Sequence, residues 1–130
     1  MNCHLTGKEA NDIHIVLRSS KTDTDECNSI TTEMIPHFRP VSWNKITFQA
    51  VLAALQKHPV RITGQMFFDA SHAPCGHPDH IDGGDPKRRS NWEIHPLYTI
   101  DVCKNKTTSG CPVDDDTKWK SFDKWIQHPQ

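Results

Sequence analysis

The sequence has no long apolar run. Its longest, Ala50–Leu55, is six residues, whereas a membrane helix needs about twenty, so no span is expected. Mean hydropathy is low, −0.68, which excludes a large core and points to a small one beneath long polar loops. Neither sign of charge dominates. Fifteen Lys+Arg stand against sixteen Asp+Glu, a net charge of −1, which removes any general attraction to nucleic acid. Lys87-Arg88-Arg89 is only a local basic triplet. Residues Met1–Gly7 contain no apolar stretch of the kind a secretory signal carries. The five cysteines, Cys3, Cys27, Cys75, Cys103 and Cys111, form no C-x-x-C pair, which weakens a structural zinc reading. Their odd number leaves at least one thiol unpaired if disulfides form. Cys103 and Cys111 bracket a short polar loop that a disulfide can close.

What is abundant is histidine, nine in 130 residues. The chain is about one domain long. Ile13, Ile15 and Leu17 alternate with Asp12, His14 and Val16, a period of two that predicts a half-buried strand over 12–18. Ile30, Thr32 and Met34 repeat the pattern against Thr31, Glu33 and Ile35 until Pro36, so a hairpin with a long loop is expected. From Ser42 the spacing becomes helical, with Trp43, Ile46, Ala50, Val51, Ala54 and Leu55 on one side and His58-Pro59 as the stop. Val60, Ile62, Met66 and Phe68 alternate with Arg61, Thr63, Gln65 and Phe67 and predict a third strand, with Gly64 marking a bulge or a close approach. Residues 69–91 form a long Pro-, Gly- and His-rich loop of the kind that is functional or disordered. Trp92, Ile94, Tyr98, Ile100 and Val102 share one parity of a last long strand bent near Pro96. In the tail, 104–130, Asp114-Asp115-Asp116-Thr117 is expected to start a short helix with Trp119, Phe122 and Ile126 on one face.

Strand, strand, helix, strand, strand is the order of strands 2 to 5 of an OB-fold. The expected fold class is therefore mainly β, a small OB-like barrel, open if its first strand is short or missing, in one domain over 1–130. An unpaired sheet edge there favours a homodimer.

If the apolar parity faces inward, Asp12, His14, Glu33, Glu93 and His95 all point outward from three neighbouring OB strands. His72 hangs over them at the end of Phe67-Phe68-Asp69-Ala70-Ser71-His72. Imidazoles and carboxylates together are the ligand types of zinc, manganese, iron or copper. The expected metal ligands are Asp12, His14, Glu93 and His95. Glu33, His72 and Glu93 serve as acid–base groups, and Arg88 or Arg89 stabilises developing negative charge. The plain alternative is that exposed strand faces carry such pairs as cross-strand ion pairs of little consequence. A second set, His72, Cys75, His77 and His80, has spacing that suits a soft or borderline metal. Trp43, Trp92, Trp119 and Trp125 read first as core packing and second as a stacking platform.

Asp12-Ile13-His14, Gly64-Gln65-Met66-Phe67-Phe68-Asp69 and Trp92-Glu93-Ile94-His95-Pro96 together resemble a group of small bacterial proteins, often exported. Those proteins carry a D-x-H strand, a G-x-x-F-(F/Y)-D segment and a W-E-(I/V)-H-P strand. The similarity spans roughly residues 3–104 of this chain. It implies an OB-like barrel, a bacterial origin and an exported or periplasmic location, and it implies no activity. A further strand usually precedes the stretch matching Cys3–Gly7 in such proteins. The residues themselves point to a metal-assisted hydrolase of phosphodiester or nuclease type. The alternative is a non-catalytic OB-like module that binds oligosaccharide, peptide or single-stranded nucleic acid.

Overall fold

The computed structural model describes residues 11–45, 53, 55–80 and 87–127. Five strands and one short helix are defined there. They are β1 (Ile13–Leu17), β2 (Ile30–Met34), β3 (Val60–Phe68), β4 (Trp92–Cys103), β5 (Trp119–Ser121) and α1 (Phe122–Gln127). The strands form one mixed sheet in the order β1-β2-β4-β3, with β5 also on β4. Among the described residues it does not close into a barrel. β1 and β2 are the expected antiparallel hairpin, in a register that sets His14 opposite Glu33. β2 runs parallel to β4, with Thr32 beside Ile94.

The backbone divides into two compact units. The first takes the chain up to Phe38 and Gly64–Leu97; the second takes Arg39–Thr63 and the chain from Tyr98 on. β3 and β4 each contribute one half to either unit. In the first, β2 is buried from Thr31 through Met34, a consequence of lying between two partner strands. Gly64 has a specific task there. A Cβ on it would lie 2.3 Å from the Ile94 side chain and 2.6 Å from the Pro96 carbonyl, so only glycine lets β3 approach so closely.

The second unit buries Ile100, Val102, Phe122 and Trp125, and it holds a buried cluster of Cys103, Cys111 and Trp119. The Cys103–Cys111 disulfide closes the short loop. His58 donates through Nδ1 to the Cys103 carbonyl at 2.9 Å. Arg61 pairs with Asp101 and Asp116 and lies over the Trp119 ring. The two carboxylates raise its pKa, Asp116 foremost.

Several expectations need correction. The segment from 104 on is not an appendage, because β5 pairs with β4 and its Trp119 is buried. The terminal helix starts at Phe122, not in the acidic run. There, Asp115 accepts from the Thr117 N–H and caps a single 3-10 turn, and the next three residues join the sheet. β4 does not keep one inward parity. Glu93 and Leu97 are buried in its first half and Ile100 and Val102 in its second, so Trp92 and Tyr98 are exposed. Met66 and Phe68 of β3 are likewise exposed. The helix expected after Ser42 falls mostly on 46–52 and 54, outside the described residues; Val41–Lys45 form a 3-10 turn.

Candidate functional site

The site is a row of side chains across β1, β2 and β4. Cross-strand neighbours on one face bring their Cβ atoms within about 5 Å, and the register makes His14 and Glu33 such a pair. His14 Nε2 lies 2.8 Å from Glu33 Oε1. One step beyond the Thr32–Ile94 register point, His95 comes to the other side of Glu33, its Nδ1 3.4 Å from Oε2. Two residues back on the same face of β4, Glu93 Oε1 lies 3.3 Å from that same nitrogen. Asp12, one residue before β1, completes a group. Asp12, Glu33 and His95 each offer a ligand atom within 4.8 Å of the others.

The row continues inward. Arg88 is 2% exposed and sends one nitrogen to two carboxylates, Glu93 Oε2 at 2.8 Å and Asp69 Oδ2 at 3.0 Å. Asp69 in turn holds His72 through Nδ1 and accepts from the Ser71 N–H and hydroxyl. The backbone around Arg88 is anchored at three points. The Ser29 hydroxyl donates to the Lys87 carbonyl, the Arg89 N–H donates to the Ser29 carbonyl, and the Cys75 N–H donates to the Arg88 carbonyl. The Cys27–Cys75 disulfide ties together the segments that supply all three anchors. Asn91 closes the arrangement by donating to the carbonyls of Asp69 and His72.

The row gathers four carboxylates, Asp12, Glu33, Glu93 and Asp69, and Arg88 pairs with the last two of them. Burial, followed by the Glu33 charge, pushes the Glu93 carboxyl up. Asp69 goes the other way. Burial works against its charge, but the hydrogen bonds from Ser71 and His72 outweigh it and lower the pKa to about 2. A depressed carboxylate stabilises the fold above its ordinary pKa and loses that contribution as pH falls toward the folded value. The stability gap between wild type and Asp69→Asn is therefore expected to shrink by about 2 kcal/mol as pH falls from the ordinary 3.8 to about 2. Urea titrations at stepped pH measure it; a gap independent of pH would show that Asp69 carries no such charge.

The structure places the expected site residues as follows. Asp12 and His95 of the expected ligand set lie together, joined by Glu33, whereas His14 rests on Glu33 and Glu93 on Arg88 and His95. Glu33 and Glu93 do not point outward. They are 7% and 1% exposed, because β2 is a central strand and the buried parity of β4 is reversed at Glu93. Arg88 does not face solvent as a charge stabiliser but is consumed by two buried carboxylates. Arg89 is exposed, its backbone on Ser29. The second metal set is not assembled. Cys75 is in a disulfide, His77 faces Asp79, and His80 bonds the Ala73 carbonyl. Of the tryptophans, Trp119 and Trp125 are buried in the core, Trp43 is partly exposed and packs edge-on against Phe122, and Trp92 is half exposed. Asp69 was missed as a site residue. Its signal was the D-x-S spacing of an Asx turn one residue before a histidine.

A comparison with protein families, with curated proteins and with solved structures finds no match to this chain.

Proposed function

We propose that the chain is a metal-assisted hydrolase of phosphodiester-type substrates, with a divalent cation held by Asp12, Glu33 and His95. The observation that carries this reading is that grouping, two carboxylates and one imidazole on adjacent strands with Asp12 exposed. The donors suit zinc, manganese or iron better than a soft ion. A cation with bonds of about 2.0–2.2 Å keeps two ligand atoms within about 4.4 Å, so the group needs to tighten by only a few tenths of an ångström. Three protein ligands leave coordination positions open to water and substrate, as in catalytic rather than structural sites. A bound cation lowers the pKa of its water and polarises a phosphoryl oxygen. It also offsets the charge of the carboxylates gathered there. The neighbour order β1-β2-β4 supports an OB-like arrangement, in which strands 2, 3 and 5 are adjacent. Two disulfides support an exported or periplasmic location, in keeping with the resemblance to exported bacterial proteins.

Calorimetric titration of tag-free protein with Mn²⁺ and Zn²⁺ tests the reading. One equivalent is expected to bind, and Glu33→Gln or His95→Ala is expected to weaken it at least tenfold, with the fold unchanged by circular dichroism. Unchanged affinity in both variants overturns the assignment of these ligands.

A second reading is favoured by one feature, the exposed Phe68–Trp92 pair, with ring centroids 5.2 Å apart and each ring about half exposed. Such a pair supplies a stacking surface for a sugar or base without metal. It predicts quenching of tryptophan fluorescence by an oligosaccharide or oligothymidylate in the presence of chelator. That quenching is expected to vanish in Trp92→Ala.

A further inference from the structure

We propose that His72 is the proton-transfer group of this site, with Asp69 and Arg88 as its positioning residues. The inference rests on the hydrolase reading and deepens it. Two carboxylate–imidazole pairs, Glu93 with His95 and Asp69 with His72, are joined through a single nitrogen of Arg88. Because both carboxylates accept from that one nitrogen, Asp69 and Glu93 meet at a single guanidinium, each with its own imidazole. Their situations differ. His95 sits between two buried carboxylates within the candidate ligand group. His72 stands at the edge, its side chain 48% exposed.

The arrangement around His72 selects one tautomer. Asp69 Oδ2 accepts from Nδ1–H, while Asp69 Oδ1 is occupied by the Ser71 N–H and hydroxyl. The Ser71 hydroxyl is also 3.0 Å from Nδ1. Asn91 holds the His72 and Asp69 carbonyls, so the turn that carries the ring is fixed at both ends. Among the described residues, Ser71 and Asp69 face the ring, with Arg88 behind Asp69. Nδ1 is thereby committed, and proton exchange falls to Nε2. This is how a carboxylate prepares an imidazole for general-base work.

Arg88 enforces the geometry from below. It is buried, its backbone is anchored to Ser29 and Cys75, and its Nε has no hydrogen-bond partner among the described residues. The guanidinium is held for its ion pairs at the expense of one buried donor. That cost is typically about 1–3 kcal/mol, and it marks a group kept for position rather than for stability alone. In the step assigned here, the Nε2 lone pair takes a proton from water as the water oxygen forms a bond to phosphorus. The P–O bond to the leaving group breaks, and the proton on Nε2 passes to the leaving oxygen. Asp69 stabilises the transient imidazolium and keeps its own charge throughout.

The experiment uses the full chain loaded with Mn²⁺ and bis(4-nitrophenyl) phosphate as probe. A general base contributes about 10²–10⁴-fold. His72→Gln is expected to lower kcat at least a hundredfold, leave KM and Mn²⁺ affinity unchanged, and regain turnover with added imidazole. Asp69→Asn, with His72 intact, is expected to lower kcat at least tenfold. Long-range ¹H–¹⁵N NMR is expected to show the Nδ1–H tautomer of His72 in the wild type and a mixture in Asp69→Asn. A His72→Gln protein that binds Mn²⁺ and turns over at the wild-type rate overturns the proposal and leaves the metal site standing. An Nε2–H tautomer in the wild type overturns it as well, whether or not metal binds. Loss of Mn²⁺ binding in the wild type instead removes the hydrolase reading on which it rests.

Discussion

Replacing Arg88 by leucine is expected to lower folding stability by about 3–5 kcal/mol. The guanidinium is 2% exposed and serves Glu93, itself 1% exposed, together with Asp69. Removing it leaves two buried carboxylates without their cation. Water cannot compensate at that depth, because desolvating an unpaired charge costs more than the lost attraction. Domains of this size are stable by only about 5–15 kcal/mol, so the loss removes a large part of the total. The loss should be smaller in acid. Glu93 is already raised by burial and by Glu33. A group with a raised folded pKa weighs against the fold above that pKa and ceases to do so once protonated. Urea denaturation at pH 7 and at pH 4 is the measurement. A loss below about 1 kcal/mol at pH 7 would show that the carboxylates do not depend on Arg88. Arg88→Lys is expected to fall between, since a lysine keeps the charge but not a planar guanidinium that can hold two acceptors.

The second large effect is expected at Gly64. An alanine there places its Cβ 2.3 Å from the Ile94 side chain, 2.6 Å from the Pro96 carbonyl and 2.9 Å from the Leu97 Cα. Two of these are backbone atoms, which cannot step aside as a flexible side chain can. Overpacking typically costs about 1–3 kcal/mol and occasionally more. Gly64→Ala is expected near the top of that range and Gly64→Val beyond it. The consequence reaches the site. β3 ends at Phe68, and the Asp69 N–H then bonds the Asn91 carbonyl just before β4. Pushing the strands apart therefore displaces Asp69 from Arg88. Thermal melts of both variants check the stability. An alanine variant as stable as wild type would show that β3 does not lie so close to β4.

The alternation of apolar and polar residues was enough to locate β1, β2 and β3 and the long last strand, because a strand's period of two is a local property. Gly64 was legible as a close approach for a similar reason, since glycine inside a strand pattern is unfavourable without one. The Cys103–Cys111 disulfide was legible as a possibility because only seven residues of polar loop separate its ends. Cys27–Cys75, forty-eight residues apart, was not. Nothing local relates its two halves, and the same tertiary pairing removed Cys75 from the metal set its spacing suggested.

Within the site, the residue types by themselves marked Asp12, His14, Glu33, His72, Arg88, Glu93 and His95 as chemistry-bearing. Their arrangement was decided elsewhere. A parity rule places Glu33 and Glu93 in solvent, because it takes the apolar side of each strand as the only buried side. The parallel pairing of β2 with β4 puts β2 between two strands, and the buried side of β4 differs between its halves, so both glutamates are enclosed. Burial in turn requires a cation, and the anchors at Ser29 and Cys75 bring Arg88 to them. The sequence alone thus determined which groups are available, through local periodicity and residue chemistry. Which of them share a proton, a charge or a ligand position was settled only by strand order and register, since these depend on contacts between segments far apart in the chain.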